Sequence, residues 1–505
     1  MRDRETIVIG VDQGTTNTKA VAIDLEGRAR HLAARPIATQ SPQDGWVEQD
    51  AEQMLANVVD CVREVLGKSN RGAGDVAGLG IANQTETLVV WERKTGRPVM
   101  PAIVWQCRRG EAELQELRNE QTVTRIRSTT GLDLDPTFTA GKLRWLFTNR
   151  PAIADGLRSG EHLFGTVDCW LLWKLTAGHS YATDSSNASR TMLFDIARAA
   201  WDTELSELFG LSIAAMPEAG RSARLFGRTD PGLFGGSIAI TAMLGDQQAS
   251  LFGHGCFAAG QLKATYGTGA FIWLNAGERP DFAVGDGMIR TIAWHLDKPC
   301  YAVEGFVMYA GATLDWLATR LGITDGGAGV VERAQQAGSS NGVVLVPAFQ
   351  GLAAPWWRPA ARAALLGLSH LTSANHICHA GLEAVCFQVR TLIESLARSG
   401  HRLDILRVDG GPTRSTYLMQ MQADILRLPL AVAEFGSMTP YGAALMAGLG
   451  AGLWQDLRAL QKAIGTASSV PPDPARAAAW DDSYRRWLAT TEAMLNLGGT
   501  VDAHR

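Results

Sequence analysis

No two of the seven cysteines in this 505-residue chain are spaced Cys-x-x-Cys, and their number is odd. Neither a disulfide framework nor a zinc site is suggested, and a reducing cytoplasm is the expected compartment. Blocks of positive charge are missing too. Basic residues come no denser than short pairs such as Arg108-Arg109, and the net charge is -4. A nucleic-acid binder usually carries a basic stripe, so no nucleic-acid partner is expected. Long apolar runs are also missing. The opening Met-Arg-Asp-Arg-Glu-Thr has no apolar core of the signal-peptide kind. The low-charge stretch 439–454 is shorter than the roughly 20 residues of a membrane helix. It is rich in Gly and Ala, as suits a closely packed buried helix, and no membrane association is expected. His376 and His379 are spaced i,i+3 without a carboxylate to complete a metal motif, so they are expected on a helix surface. A Gly-x-x-x-x-Gly-Lys-Ser/Thr loop and the protein-kinase signatures are absent, which argues against both of those nucleotide sites.

What is present is a globular composition, 46% hydrophobic and 19% charged, in a chain too long for one core. Two domains are expected, 1–253 and 254–505. Ile7, Val8, Ile9 and Val11 form a short β-branched strand. A polar turn follows, Asp12-Gln13-Gly14-Thr15-Thr16-Asn17-Thr18, and then a second strand from Lys19 to Ile23. This predicts a β-hairpin. A helix is predicted from Asp50, with Met54, Leu55, Val58, Val59, Val62, Val65 and Leu66 on one face and Asp50 with Gln53 as a capping box. Further strands are predicted over 76–81 and 87–91. The hairpin pattern recurs at 260–277 around the turn Gly267-Thr268-Gly269, either as an internal duplication or as a chance match. Near the end, a long amphipathic helix precedes a strand closing in Asp409-Gly410-Gly411-Pro412, and another helix is predicted over 416–426.

Three turns of this composition are suited to a polyphosphate. Gly and Thr offer backbone N–H groups and hydroxyls with little bulk. Asp12 is placed where a carboxylate could hold Mg²⁺, directly or through water. The Gly267-Thr268-Gly269 turn could close on the phosphates, and the Asp409-Gly410-Gly411 turn lets backbone approach a flat base or ribose. At Gly245-Asp246-Gln247-Gln248 an apolar strand ends in a carboxylate. Asp246 is either a base that accepts a proton from an attacking hydroxyl or a helix N-cap.

Taken in order, several runs resemble the FGGY carbohydrate kinase family, and within it the glycerol-kinase branch. They are Val11-Asp12-Gln13-Gly14-Thr15-Thr16, Trp105-Gln106-Cys107-Arg108-Arg109, Asn187-Ala188-Ser189-Arg190-Thr191-Met192, Gly245-Asp246-Gln247-Gln248, Thr265-Tyr266-Gly267-Thr268-Gly269 and Val408-Asp409-Gly410-Gly411. The resemblance covers about 7–454. It implies an α/β fold of two ribonuclease-H-like lobes, of the actin/Hsp70/hexokinase ATPase type, with a catalytic cleft between them. It implies ATP and Mg²⁺, a small polyol or sugar substrate, and a homo-oligomer, dimer or tetramer. By the same resemblance Asp246 is the catalytic base and Asp12 serves the metal. Glu86, Trp105, Gln247 and Phe271 line the acceptor pocket with Asp246. Thr15, Thr16, Asn17 and Lys19 lie at the phosphates, and Thr268, Gly311, Asp315, Gly411 and Ser415 line the nucleotide site.

Two acceptor-pocket positions depart from the family pattern. Thr85 stands in place of an Arg, and Thr137 in place of a Tyr. Both changes remove a long donor and leave a short hydroxyl. A lost hydrogen bond costs on the order of 1 kcal/mol, more when the donor is charged. An acceptor other than or longer than glycerol is therefore expected, with glycerol itself as the alternative. A non-catalytic nucleotide or sugar sensor would be expected to have lost Asp12 or Asp246, and both are present.

Overall fold

The computed structural model describes residues 6–501 apart from 325 and 466, so the first five residues of the opening segment lie outside the described residues. The first sheet grows from the predicted hairpin. β1 (Ile7–Gln13) and β2 (Asn17–Ile23) pair antiparallel, Val11 opposite Ala20 and Asp12 opposite Lys19. β3 (Ala29–Pro36) continues the meander, α1 (Ala51–Ser69) crosses back, and β4 (Val76–Asn83) joins parallel to β1. After a long excursion that includes α2 (Val167–Leu175) come β5 (Ala223–Arg228) and β6 (Ala239–Gly245), the last followed directly by α3 (Asp246–Gly253), giving the order β5-β6-β4-β1-β2-β3. β1 is buried along its whole length, which is why it reads as one apolar run rather than an alternation.

Met54, Val58, Val62 and Val65 of α1 are fully buried, as their spacing predicts. The cap differs from expectation. Asp50 accepts from the Glu52 N–H at 2.9 Å, so its carboxylate satisfies an earlier free amide than a capping box with Gln53 would.

The second sheet repeats the pattern. β7 (Leu262–Tyr266) and β8 (Ala270–Gly277) form the predicted hairpin, followed by β9 (Ile289–His295) and β10 (Pro299–Val307). Later come β11 (Leu406–Gly410), β12 (Leu430–Ala433) and β13 (Ala467–Val470). The order is β9-β10-β8-β7-β11-β12-β13, with β11 parallel to β7. Three helices belong with it: α4 (Gly311–Thr319), α5 (Ala374–Arg398) and α6 (Thr416–Leu426); a further helix, α7 (Met438–Gly450), follows β12. Each sheet thus has an antiparallel meander followed by a helix and parallel strands, the ribonuclease-H-like arrangement twice over.

Between the sheets lies a shared core. The helix Asp246–Gly253, directly after β6, packs with α7 among Val8, Val21, Leu244, Trp273 and Ala302. α7 comes from the later half of the chain yet lies on the first sheet. A Cβ at Gly10 would sit 1.9 Å from the Pro440 carbonyl, and one at Gly80 would sit 2.1 Å from that of Ala443. The stretch 439–454 is accordingly a buried helix and its cap, and no described helix is long and apolar enough to cross a membrane.

The histidine pair is corrected by the structure. His376 lies at the start of α5, where its Nδ1 receives the Ser373 N–H. His379, one turn on, is fully buried rather than on a helix surface. Its Nδ1 lies 2.9 Å from Glu383 and its Nε2 lies 3.2 Å from the Tyr417 hydroxyl, partners that make burial of a polar ring tolerable.

Candidate functional site

Strand register puts the chemistry of the second sheet on one face. Thr265 is opposite both Phe271 and Asp409, Phe271 is opposite Phe306, and Trp273 is opposite both Lys263 and Glu304. Residues directly opposite one another share a face, as do residues two apart along a strand. Lys263, Thr265, Asp409, Phe271, Phe306, Trp273 and Glu304 therefore point together.

On the first sheet, Gln13, Asn83 and Gly245 lie level across β1, β4 and β6. Asp12 and Asp246 consequently emerge at the same end of the sheet. Asp246 is not the N-cap. Gly245 takes that position, and Asp246 is the first helical residue. Burial, then the neighbouring charges of Asp12 and Glu86, push its carboxyl up to about 7, against the Gln247 N–H at 2.7 Å and the Lys263 charge. Burial likewise pushes Asp12 up to about 6 despite nearby Lys19. Asp12 Oδ1 is buried with no hydrogen-bond partner among the described residues. An unpaired carboxylate oxygen of this kind is a donor that Mg²⁺ accepts. No group of three or more metal-ligating side chains occurs among the described residues.

The first turn is joined to Trp105 and Gln84. Thr15 Oγ1 receives the Trp105 indole N–H at 2.9 Å and donates to Gln84 at 3.3 Å. The Thr15 carbonyl accepts from Gln49 at 2.7 Å, and the Asn17 carbonyl accepts from the Gly14 N–H at 3.1 Å. Thr16 is exposed at the turn's tip, and Lys19 is half-buried.

Glu86 is buried, with φ at 63°, a backbone conformation uncommon for a side-chain-bearing residue. Its carboxylate accepts from Thr85 Oγ1 at 2.6 Å and from Arg190 Nε at 2.6 Å. The loop holding Thr137 is brought in by Thr139, whose hydroxyl donates to the Glu86 carbonyl at 3.2 Å. Thr137 itself is half-buried, and its carbonyl receives the ammonium of Lys142, which burial draws down to about 8. Gln247 Oε1 accepts from Lys263 Nζ at 2.5 Å. Phe271 stacks on Phe306 with ring centroids 4.5 Å apart.

At the second turn, the carbonyl of Thr268 accepts the N–H groups of Ala310 and Ala312, and the carbonyl of Gly267 accepts that of Gly311. These bonds lash the turn to the start of α4. A Cβ at Gly311 would sit 2.6 Å from the Gly267 carbonyl and 3.6 Å from Pro412, so Thr268, Gly311 and the Gly411 turn converge. Asp315 lies one turn along α4 and is exposed. Ser415 caps α6, its Oγ accepting from the Leu418 N–H at 3.1 Å, which leaves its O–H free to donate.

Four residues of this region carry no expectation from the sequence: Lys142, Arg190, Lys263 and Phe306. Lys263 has the plainest signal, a charge at a cleft-facing position of an otherwise apolar strand. Burial draws it down to about 8, against Asp409 and Asp246. It also donates to Thr265 at 2.8 Å, and Thr265 donates to Asp409 at 2.6 Å. Burial works to raise Asp409, but its contacts with His254, Lys263 and Thr265 outweigh this and hold it below the usual carboxylate range.

The profile of the FGGY family of carbohydrate kinases, N-terminal domain, matches residues 7–253, and that of the C-terminal domain matches residues 262–451. A glycerol kinase of Pasteurella multocida is 41% identical over 476 residues, covering 94% of each chain. A glycerol kinase of Citrifermentans bemidjiense is 44% identical over 450 residues, covering 88% of this chain and 90% of that one. Among solved structures, a Plasmodium falciparum glycerol kinase with ADP superposes with a TM-score of 0.88 at 30% identity, covering 97% of this chain and 98% of that one. A gluconate kinase of Lactobacillus acidophilus shares the fold, with a TM-score of 0.88 at 20% identity over 98% of this chain and 99% of that one.

Proposed function

The chain belongs to the FGGY family of carbohydrate kinases and is an ATP-dependent carbohydrate or polyol kinase, and from that premise we propose that it phosphorylates a hydroxyl of a small polyol in the glycerol-kinase manner. The observation that carries the reading is Asp246, a carboxylate at a strand end facing the cleft, pushed up to about 7 beside Asp12 and Glu86. A base poised near neutrality is still substantially deprotonated at working pH and is a stronger acceptor for the proton of an attacking hydroxyl than an ordinary carboxylate. Glu86, Trp105, Gln247 and Phe271 surround the acceptor. Thr15, Thr16, Asn17 and Lys19 receive the phosphates. Thr268, Gly311, Asp315, Gly411 and Ser415 receive the nucleotide. Asp12 would hold Mg²⁺, which neutralises phosphate charge when bound. Substrate and phosphate contacts belong mainly to 1–253 and nucleotide contacts to 254–505. Seven free, buried cysteines fit a reducing cytoplasm.

Two acceptors are supported by different observations. The Thr85 hydroxyl is turned onto Glu86, so it offers the acceptor no donor, and Thr137 is short. Both favour a polyol longer than glycerol. The name of the relatives favours glycerol. The test is ADP release with Mg-ATP across glycerol, dihydroxyacetone, tetritols, pentitols and ketopentoses, with Asp246→Asn as the blank. A longer acceptor that outperforms glycerol supports the pocket argument, and glycerol as the best acceptor overturns it. Turnover by the blank equal to wild type overturns the role of Asp246.

A further inference from the structure

Arg190 has no part in the transfer described above, yet it is the hub of a buried ion cluster that crosses the cleft. Its side chain is 6% exposed, that of Glu86 6% and that of Glu304 10%. Nε meets Glu86 Oε1 at 2.6 Å, and Nη1 meets Glu304 Oε2 at 2.7 Å. Glu86 follows β4 of the first sheet, whereas Glu304 lies on β10 of the second. The guanidinium is flanked by the rings of Phe138 at 5.5 Å and Trp273 at 5.8 Å. Its backbone is fixed as well, because neighbouring Ser189 bonds through its hydroxyl to Thr291 on β9 at 2.9 Å.

Two carboxylates at this depth require a cation between them, since an uncompensated buried charge is strongly unfavourable. A guanidinium reaches both with separate nitrogens, hydrogen-bonding Glu86 through Nε and meeting Glu304 through Nη1 as a charge pair without hydrogen-bond geometry. With Arg190 on one oxygen and Thr85 on the other, both carboxylate oxygens of Glu86 have fixed donors, and the left-handed backbone at Glu86 is held from outside. We propose that Arg190 is a positioning residue for acceptor binding: it sets the Glu86 carboxylate and, through Glu304, makes that setting depend on the second sheet being docked. This rests on the reading of Glu86 as an acceptor contact in a polyol kinase.

The test compares wild type, Arg190→Gln, Arg190→Lys and Glu304→Gln, each also in a Glu86→Gln background. Acceptor KM, ATP KM, kcat and Tm are measured for each. Arg190→Gln is expected to raise acceptor KM by about ten-fold or more, the scale of a lost charge-assisted bond, with ATP KM changed by less than about two-fold. Arg190→Lys should recover part of the loss, and it decides the matter if Arg190→Gln fails to fold. In the Glu86→Gln background, replacing Arg190 should change acceptor KM by less than about two-fold, because the group it positions is already altered. An unchanged acceptor KM in folded Arg190 variants overturns the proposal, as does an effect undiminished in the Glu86→Gln background. If wild type phosphorylates no acceptor on the panel, the polyol-kinase reading itself fails and this proposal falls with it.

Discussion

Gly442 on α7 lies so close to Ala249, on the helix that begins with Asp246, that a Cβ would sit 1.8 Å from the Ala249 carbonyl. The two helices between the sheets therefore meet backbone to backbone. Gly442→Ala should force them apart, destabilise the protein by roughly 1–3 kcal/mol and displace Asp246. Thermal unfolding and ADP release check both effects. Gly67→Ala is the control, because nothing lies within 4 Å of a Cβ there and the position is helical. It should stabilise by about 0.5–1 kcal/mol.

Acceptor kcat/KM should rise with pH through about 7 and level off above it, as Asp246 loses its proton. Asp246→Asn should lower kcat by on the order of a hundred- to ten-thousand-fold. The same variant should raise Tm. A carboxyl raised from 3.8 to about 7 costs stability in its charged form, a cost fully present above pH about 7 and fading as the pH falls toward 3.8. A Tm gain at pH 8 that shrinks at pH 4.5 is the expected pattern. A gain independent of pH would contradict it.

Lys263→Met removes the ammonium that bonds Gln247 and lowers the proton affinity of Asp246. Acceptor kcat/KM is expected to fall by about ten-fold. Its acid limb should move to higher pH, the direction in which Asp246 shifts once the positive charge is gone. A pH-rate profile of the variant beside wild type reads both.

Gly311→Ala should push α4 away from the Gly267 carbonyl and open the turn that carries Thr268. ATP KM is expected to rise by about ten-fold, the worth of one or two hydrogen bonds to phosphate, with acceptor KM changed far less. Steady-state kinetics with each substrate varied in turn decides it.

Both Gly/Thr hairpins were legible in the sequence because short apolar runs on either side of a Gly/Thr turn are local signals. The helices over 51–69 and 416–426 were legible from helical spacing for the same reason. What the sequence hid is what depends on distant partners. Glu304 and Arg190 look like ordinary surface charges until β10 and the segment after Ala188 are brought beside Glu86. His379 reads as half of a surface pair until Glu383 and Tyr417 are seen to accompany it inward. Lys263 reads as a solvent-facing lysine until Gln247, Thr265 and Asp409 are seen around it. The turn and the strand end brought Asp12 and Asp246 to notice, and the likeness to a known family added Thr15, but neither could say that the Thr85 hydroxyl donates to Glu86.

The helix α7 completes the first sheet although it is encoded near the other end of the chain. On a ribosome adding about 5–20 residues per second, residues 254–437 take roughly 10–40 s to follow residue 253 into the open. Through that interval Gly10, Gly78 and Gly80 present a flat strip of bare backbone where α7 will lie, next to Val8 and Ala82. The nascent protein thus passes through a stage in which its earliest-made sheet is sticky and unfinished.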